Sequence, residues 1–244
     1  MPGHDSTRFI LIGTSHAGNV GATARAMKVM GFSDLVLVAP RDPNLQRKAE
    51  AVALASGATD VLAKARVTAD MTQALKGISY VCATAMTPRD FGPSTHAPRE
   101  LFATLGRSAH RVAFVFGSER FGLSNDDVYR CHACLSIPTR ADYGSLNLSQ
   151  AVQLIAYDWR QALGGFDVVS RTTDATLADA TAVQGLIDHW RLALEQIGFH
   201  DPMAPKKLLP RLNRLLNRVQ LTQEEVHILR GMAKAVQERC LPRS

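Results

Sequence analysis

Cysteine is scarce in this sequence, and long apolar runs are absent from it. Only four cysteines occur in 244 residues, too few and too scattered for a disulfide scaffold in so long a chain. No stretch approaches the roughly 18 consecutive apolar residues of a membrane span, and residues 1–8 are polar. The sequence therefore predicts a cytoplasmic protein with no signal peptide, membrane anchor or membrane partner.

Two of the cysteines, Cys131 and Cys134, have the CxxC spacing of zinc sites and thiol-exchange sites. A zinc site would need a second such pair or a pair of histidines, and a thiol-exchange site would need a thioredoxin-like strand and helix around it. The sequence offers neither. We therefore predict no metal site and interpret the pair as small, part-buried residues that lead into a strand.

Two phosphate-binding fingerprints are also incomplete. The loop from Gly13 to Gly21 follows a predicted strand, but Asn19 and Val20 stand where a P-loop requires lysine and then serine or threonine. The second predicted strand ends without the acid of a dinucleotide-binding fold. Nucleotide hydrolysis and hydride transfer therefore lose support. What remains is a glycine-containing helix start, with Asn19 and Arg25 predicted near one end of the first helix.

The length and charge of the chain favour one large domain, or one domain with an appendage, and an anionic partner. Lysine and arginine number 28 against 22 acids, a net charge of +6. This excess is moderate, so it favours nucleic acid as a partner without requiring it.

The amino-terminal two thirds alternates short β-rich runs with helical patterns, which is typical of an α/β fold with a mostly parallel sheet and helices on both faces. Residues 112–117 have almost no polar interruption, so they are predicted in the middle of that sheet. The predicted strands are 9–13, 35–39, 80–85, 112–117 and 133–137. The predicted helices are 19–30, 49–55, 71–75, 100–105 and 146–163.

The composition and the secondary-structure pattern of the sequence change after residue 165. Residues 166–181 are rich in serine, threonine and aspartate and are interpreted as a linker between residues 1–165 and the rest. Residues 182–244 are predicted to form a small all-helical extension, with helices at 183–197, 209–219 and 224–236. Thr222 and Glu225 are placed to form a capping box at the start of the third of these helices.

The second helix of this extension has an apolar stripe and a basic stripe at the same helical spacing. A basic stripe without acids either faces phosphates or is the ordinary solvated side of a helix packed by its leucines. The apolar stripe consists of Leu212, Leu215, Leu216 and Val219. The cations, including two on the entering loop, are Lys206, Lys207, Arg211, Arg214 and Arg218.

Two further loops follow predicted strands and carry polar side chains at the expected carboxyl edge of the sheet. One begins at Gly117, which suits close approach of a ligand to the backbone, and presents Glu119 in a tight turn. The other presents Gly144, Ser145 and Asn147 just before a helix, whose first N–H groups suit a small ligand. Alternatively, Ser145 or Asn147 only caps that helix.

Residues 19–26, 116–123 and 137–150 together resemble, in order and spacing, the three motifs of the SPOUT-class RNA ribose 2′-O-methyltransferases of the TrmH superfamily. The helical tail, with residues 227–231, is similar to the extension of the members that act on the tRNA anticodon loop. The resemblance covers nearly the whole chain. It implies transfer of a methyl group from S-adenosyl-L-methionine to the ribose 2′-hydroxyl of cytidine or uridine 32 in tRNA.

The resemblance also implies a trefoil knot near the carboxyl end of the sheet and a homodimer in which two subunits complete each site. S-adenosylmethionine would lie in the knot, held largely by backbone groups. The implied cofactor-binding residues are Thr84, Ala85, Met86, Gly117, Ile137, Gly144, Ser145 and Leu146. The implied catalytic residues are Arg25, Asn19, Glu119, Ser145 and Asn147.

Arg25 stands at the centre of the implied reaction. A guanidinium gives up its proton only above roughly pH 12, so we interpret Arg25 as a clamp on the phosphate next to the reacting ribose rather than as a base. Arg89 is a second candidate RNA contact, together with the five cations of the tail. The family often carries a more basic run at the position of residues 86–88, which leaves the RNA contacts there open.

Two alternatives remain. A relative within the same class would modify another tRNA position or ribosomal RNA. A non-catalytic RNA-binding dimer would keep the fold without the reaction, although the presence of all five implied catalytic residues argues against it.

Overall fold

The computed structural model describes residues 7–85, 87, 89–169 and 175–240. The chain divides into two compact units, Met1–Asp167 and Val168–Ser244. Among the predicted features, Met86 and residues 170–174 of the predicted linker lie outside the described residues.

A seven-stranded sheet with all its strand pairs parallel forms the centre of the first unit. The strands are β1 (Arg8–Ile12), β2 (Asp34–Val38), β3 (Arg66–Thr68), β4 (Tyr80–Thr84), β5 (Thr95–His96), β6 (Val112–Phe116) and β7 (Ala133–Leu135). Their order in the sheet is β3-β2-β1-β6-β4-β7-β5. The five predicted strands are confirmed to within two residues. The strands β3 and β5 were not predicted because they have three and two residues and carry no apolar run.

The position of β6 follows from its composition. All five of its residues are buried, and it is the fourth of seven strands, as the uninterrupted apolar run predicts. Alternate side chains of its neighbour β1 enter different cores. Phe9 and Leu11 belong to one hydrophobic cluster and Ile10 to another, so both faces of the sheet are covered.

Helices cover the two faces unequally. The helices of the first unit are α1 (Ala17–Val29), α2 (Ala49–Ala55), α3 (Thr59–Lys64), α4 (Met71–Ala74), α5 (Pro98–Leu105), α6 (Asn125–Tyr129) and α7 (Leu148–Ala162). Side chains of α1, α2, α3, α5 and α7 share the cluster with Phe9, whereas α4 and α6 contribute to the cluster with Ile10. Within the described part of the chain, no helix is long and apolar enough to cross a membrane.

The predicted end of α1 at Gly31 is confirmed. The backbone φ of Gly31 is +78°, a conformation that favours glycine. The N–H of Phe32 donates to the carbonyl of Met27 at 2.9 Å, and that of Gly31 donates to the carbonyl of Lys28 at 3.0 Å. These two bonds form the Schellman motif that commonly ends a helix.

The cysteines of the CxxC segment are packing residues, as interpreted from the sequence. Cys82, Cys131 and Cys134 are free and buried. Burial raises the pKa of the Cys131 thiol to about 12 and raises the pKa of the Cys134 thiol. A thiol that stays protonated at neutral pH is a poor nucleophile.

The second unit contains three described helices, α8 (Ala180–Gln196), α9 (Leu208–Val219) and α10 (Gln223–Cys240). The predicted capping box of α10 is confirmed: Thr222 N–H donates to the Glu225 carboxylate at 2.7 Å, and Glu225 N–H donates to Thr222 Oγ1 at 3.2 Å. Leu177 forms a β-bridge with Thr222. The last residues of the predicted linker are therefore part of the folded second unit.

Candidate active site

A cavity of about 340 Å³ opens in the first unit where β4, β6 and β7 end. These three strands are neighbours in the sheet, so the loops that follow them meet at one edge. Such an edge is where open α/β sheets bind ligands. The cavity is lined by Thr84, Ala85, Thr87, Arg89, Phe116, Gly117, Ser118, Glu119, Arg120, Phe121, Gly122, Leu123, Leu135, Ile137, Gly144, Ser145, Leu146, Leu148 and Ala151.

The loop after β6 is a tight turn closed on itself. Ser118 and Gly122 form an antiparallel bridge, with N···O distances of 3.1 and 2.9 Å in its two hydrogen bonds. A Cβ atom on Gly117 would collide with the backbone of Gly122. From the sequence, we interpreted Gly117 as a position where a ligand approaches the backbone closely. The structure supplies a different reason, since the turn itself leaves no space for a side chain there.

Glu119 accepts hydrogen bonds from the loop between β1 and α1. Its carboxylate accepts from Thr14 Oγ1 at 2.8 Å, from Ser15 N–H at 3.1 Å and from Asn19 Nδ2 at 3.0 Å. Weaker contacts come from the Ser15 hydroxyl at 3.2 Å and from His16 N–H at 3.3 Å. One carboxylate thus fastens the loop after β6 to the start of α1.

This environment keeps Glu119 ionised. Burial alone would raise the pKa of Glu119, but the hydrogen bonds donated by Asn19, Thr14 and Ser15 outweigh burial and lower the pKa to about 2. At neutral pH the side chain is therefore an acceptor only, and it is too weak a base to remove a proton from a hydroxyl.

The charge of Glu119 also orients two amides that lead to α7. Asn19 turns its Nδ2 to the carboxylate, which leaves its Oδ1 to accept from Asn147 Nδ2 at 3.0 Å. Asn147 in turn presents its Oδ1 to Ser149 N–H at 2.9 Å and so caps α7. Asn147 therefore caps α7, as the alternative interpretation of the sequence predicted, and it is also hydrogen-bonded to Asn19 beside the cavity. Residues 144–146, which directly precede Asn147, line the cavity.

Most of the implied site residues meet at this cavity. Seven of the eight implied cofactor-binding residues line it, and the eighth is Met86. Of the implied catalytic residues, Glu119 and Ser145 line the cavity. Asn19 is hydrogen-bonded to Glu119, and Asn147 is hydrogen-bonded to Asn19.

Arg25 lies elsewhere on α1. It is exposed and does not line the cavity. It follows Asn19 by six residues, roughly 9 Å along the helix at about 1.5 Å per residue. The prediction that both residues lie near one end of α1 is therefore wrong for Arg25, which is in the second half of the helix.

Two buried polar atoms of the cavity wall have no hydrogen-bond partner among the described residues. They are Thr84 Oγ1 and Arg89 Nε. Arg89, predicted as an RNA contact, therefore has part of its guanidinium in the wall of the cavity, while its Nη1 donates to the Thr87 carbonyl at 3.1 Å. Buried polar groups in folded proteins are nearly always hydrogen-bonded, so these two atoms are suited to a polar ligand.

The five cations predicted on α9 and its entering loop are exposed, but the apolar stripe beside them is only partly buried. Leu216 is buried and Leu212 packs against the same cluster, but Leu215 and Val219 are 48% and 53% exposed. The predicted apolar stripe of α9 is therefore only half buried within this unit. The five exposed cations are Lys206, Lys207, Arg211, Arg214 and Arg218.

Sequence reasoning missed several residues of the site, among them four with polar or aromatic side chains. Thr14 and Ser15 follow directly after β1, so their place at the carboxyl edge of the sheet was available as a signal. Nothing in the sequence indicated that their hydroxyls would bind Glu119. Arg120 and Phe121 were quoted within a motif but were not assigned to the cavity that they line.

Comparison with known sequences identifies the class of protein. Residues 6–157 match the SpoU rRNA Methylase family, and residues 181–243 match the carboxyl-terminal domain of the tRNA methyltransferase TrmJ.

Individual relatives agree with this assignment. The tRNA (cytidine/uridine-2′-O-)-methyltransferase TrmJ of Photorhabdus laumondii is 38% identical over 240 residues, which is 96% of this chain and 98% of that protein. The TrmJ of Sodalis glossinidius is 37% identical over 243 residues, 96% of this chain and 92% of that protein. The crystal structure of TrmJ from Z. mobilis is 30% identical, covers 95% of this chain and 99% of that one, and has a TM-score of 0.81. The chain therefore belongs to the TrmJ branch of the SpoU methylase family, a class of methyltransferases.

Proposed function

We propose that this chain transfers a methyl group from S-adenosyl-L-methionine to the ribose 2′-hydroxyl of a tRNA anticodon-loop nucleotide, cytidine or uridine 32, in the cytoplasm. The observation that carries the proposal is the cavity at which the loops after β4, β6 and β7 meet, with Glu119 fastening it to α1. The names of the relatives at 37% and 38% identity support the tRNA ribose as the acceptor.

The cavity fits the proposed cofactor. Its volume of about 340 Å³ lies within the roughly 300 to 1,000 Å³ of small-molecule sites. Thr84 Oγ1 and Arg89 Nε offer polar atoms that lack protein partners among the described residues. S-adenosylmethionine, when bound, supplies an electrophilic methyl group on a sulfonium. We propose that it is held by Thr84, Ala85, Met86, Gly117, Ile137, Gly144, Ser145 and Leu146.

The protein has to align the ribose hydroxyl and accommodate its proton. Glu119, with a pKa of about 2, holds Asn19 and Asn147 in place instead of acting as the base. Ser145, exposed at the cavity wall, is positioned to contact the incoming ribose. Arg25 clamps the adjacent phosphate through its forked donors.

The location of Arg25 supports a homodimer. A single chain leaves this exposed residue outside the cavity lining, so one subunit alone offers an incomplete site. We propose that two subunits pair so that Arg25 reaches a cavity.

The strand order supports a trefoil knot. The strand β7 lies between β4 and β5, although β4 and β5 are joined by a short connection. The chain that leaves β7 leads into α7, which packs against α1 and α5, and we propose that it passes through that connection on the way. We propose that this passage forms the knot, one of the rare exceptions to unknotted topology.

The cations of the second unit are proposed to bind the tRNA backbone. Five exposed cations occur between Lys206 and Arg218, and no acid interrupts them. A surface of this kind attracts phosphates regardless of sequence. Residues 1–165 would then carry the cofactor and the reaction, and residues 182–244 would grip the substrate.

The decisive experiment is incubation of the protein with unmodified tRNA and S-adenosylmethionine carrying a labelled methyl group, followed by nuclease digestion and mass spectrometry. We expect label in 2′-O-methylcytidine or 2′-O-methyluridine at position 32, and its loss in Arg25→Ala. Label on a base would contradict the ribose assignment. A pH-rate profile of Arg25→Lys separates a clamp from a base, because full activity with a shifted pKa would indicate a base.

Ribosomal RNA is the second candidate substrate, because the family model matched by residues 6–157 is described as an rRNA methylase. Adding rRNA fragments in parallel tests it. Label on rRNA alone would replace tRNA as the substrate without changing the reaction.

A further inference from the structure

Phe121 is a solvent-exposed phenylalanine at the cavity. The side chain of Phe121 is 78% exposed and lines the cavity. Five other phenylalanines of the first unit are no more than 2% exposed: Phe9, Phe32, Phe102, Phe114 and Phe116. Among the exposed phenylalanines of this unit, Phe121 alone lines the cavity.

The turn after β6 fixes the backbone of Phe121. The bridge between Ser118 and Gly122 closes the turn on both sides of it. The N–H of Phe121 donates to Ser118 Oγ at 3.3 Å. Glu119 in the same turn is fixed by its bonds to the β1–α1 loop. The ring therefore extends from a constrained turn at the cavity, so little backbone freedom of this segment remains to be lost on binding.

The ring carries a cation next to it. Arg120 Cζ lies 5.1 Å from the centroid of Phe121, within the range of a cation–π contact. Arg120 lines the same cavity and its side chain is exposed. An exposed aromatic face with an adjacent guanidinium is the combination that proteins use to stack single-stranded nucleobases while neutralising their phosphates.

We propose that Phe121 is a stacking platform for the base of the nucleotide that is methylated, with Arg120 binding the phosphate beside it. This inference rests on the proposed function. A ring face contacts the π-face that every base has and reads no exocyclic group. Stacking on Phe121 therefore explains how one site accepts both cytidine and uridine, while the ribose is held at the cavity by the residues around Glu119.

The test compares Phe121→Ala with Phe121→Tyr, which keeps an aromatic face. A matched control is Phe166→Ala, because Phe166 is also exposed and has Arg160 Cζ 5.0 Å from its centroid, yet it does not line the cavity. Each full-length variant is assayed for methylation of tRNA and for affinity for S-adenosylmethionine, and its oligomeric state is measured by light scattering.

We expect Phe121→Ala to lower kcat/KM for tRNA by about 5- to 150-fold, the range for loss of one base–aromatic stack, with unchanged cofactor affinity. Phe121→Tyr and Phe166→Ala should stay near wild type. A direct readout uses a stem-loop RNA with the fluorescent base pyrrolocytosine at the target position. Its quenching on binding should persist with Phe121→Tyr and disappear with Phe121→Ala.

Three results would overturn the platform. Phe121→Ala could match wild type in both assays, Phe121→Tyr could fail as fully as Phe121→Ala, or Phe121→Ala could change the oligomeric state, which would assign the ring to a subunit contact. Failure of the proposed function looks different, because wild-type protein would then methylate no tRNA while the fluorescent RNA still reports whether Phe121 stacks a base.

Discussion

Asn19 donates a hydrogen bond from Nδ2 to Glu119 Oε1 at 3.0 Å across 100 residues of sequence. This bond joins the start of α1 to the turn after β6, and the other end of the Asn19 amide continues to Asn147 at the start of α7. The three segments that resemble family motifs are therefore one hydrogen-bonded unit. Because a carboxylate is acceptor-only, its charge determines which way each amide faces.

Replacing the charge of Glu119 tests this unit. Glu119→Gln keeps the shape but replaces one carboxylate oxygen by an NH₂ group, which then faces either Thr14 and Asn19 or, if the amide is flipped, Ser15 N–H. We expect the free energy of unfolding to fall by about 1.5 to 3 kcal/mol, the usual range for hydrogen bonds to a charged group, and methyl transfer to fall with it. Urea unfolding and the methylation assay measure the two effects. Glu100→Gln is the control, since Glu100 is exposed on α5, and equal behaviour of the two variants would contradict the role of Glu119.

The pH dependence of stability gives a second test of Glu119. Its pKa is about 2 in the folded protein and about 4.3 in an unfolded chain. A carboxyl whose folded pKa is depressed contributes stability that is fully present above the unfolded value and is lost as the pH falls toward the folded value. The stability difference between wild type and Glu119→Gln should therefore shrink between about pH 5 and pH 2. A difference that stays constant over this window would show that the carboxyl is not held ionised.

Thr14 is a positioning residue for Glu119. It is fully buried, and its hydroxyl donates to Glu119 at 2.8 Å. Thr14→Val removes the donor at nearly the same volume, and we expect kcat to fall by about tenfold, equal to about 1.4 kcal/mol in the barrier, with a smaller change in KM. Thr14→Ser restores the donor and should recover most of kcat. If Ser and Val variants lose the same activity, packing and not the hydroxyl is what matters at this position.

The sequence predicted those features that depend on runs of several residues. The five longer strands and the α10 capping box follow from local patterns of apolar residues and caps. The Thr14 contact does not, because it joins a hydroxyl to a carboxylate 105 residues away, and serine or threonine in a loop is ordinary. Gly117 shows the same limit. From the sequence, we attributed the need for glycine there to the close approach of a ligand. In the structure, the need comes from the backbone of Gly122 in the same turn, which leaves no space for a side chain.

Gly21 makes a comparable close contact between helices. It was interpreted as part of a glycine-containing helix start, and the structure places it against α2, where a Cβ atom would collide with the carbonyl of Ala51. We expect Gly21→Ala to lower the free energy of unfolding of the first unit by about 1 to 3 kcal/mol, the typical cost of overpacking. Gly57→Ala is the control because its Cβ would have open space. The melting temperatures of the two variants are compared by thermal unfolding. A Gly21→Ala protein that melts at the wild-type temperature would show that α1 and α2 can move apart without loss of stability.

The basic stripe of α9 is expected to act through counterion release. Replacing Arg211, Arg214 and Arg218 by glutamine removes three exposed cations without touching the buried Leu216. The slope of log affinity for tRNA against log salt concentration should become shallower by about 2 to 3, since each phosphate contact contributes about 0.7 to 0.9. Cofactor affinity should stay unchanged because the cavity is lined by residues of the first unit.

A second triple variant separates this contact from net charge. Lys64→Gln, Lys76→Gln and Arg107→Gln remove three exposed cations of the first unit that do not line the cavity, so the net charge falls equally. Long-range attraction depends on net charge and is screened by salt, whereas phosphate contacts depend on where the cations lie. If the slope of log affinity against log salt concentration changes only in the α9 variant, the phosphate contacts are made by α9. If the slope changes equally in the two variants, the basic stripe is an ordinary solvated face of the helix.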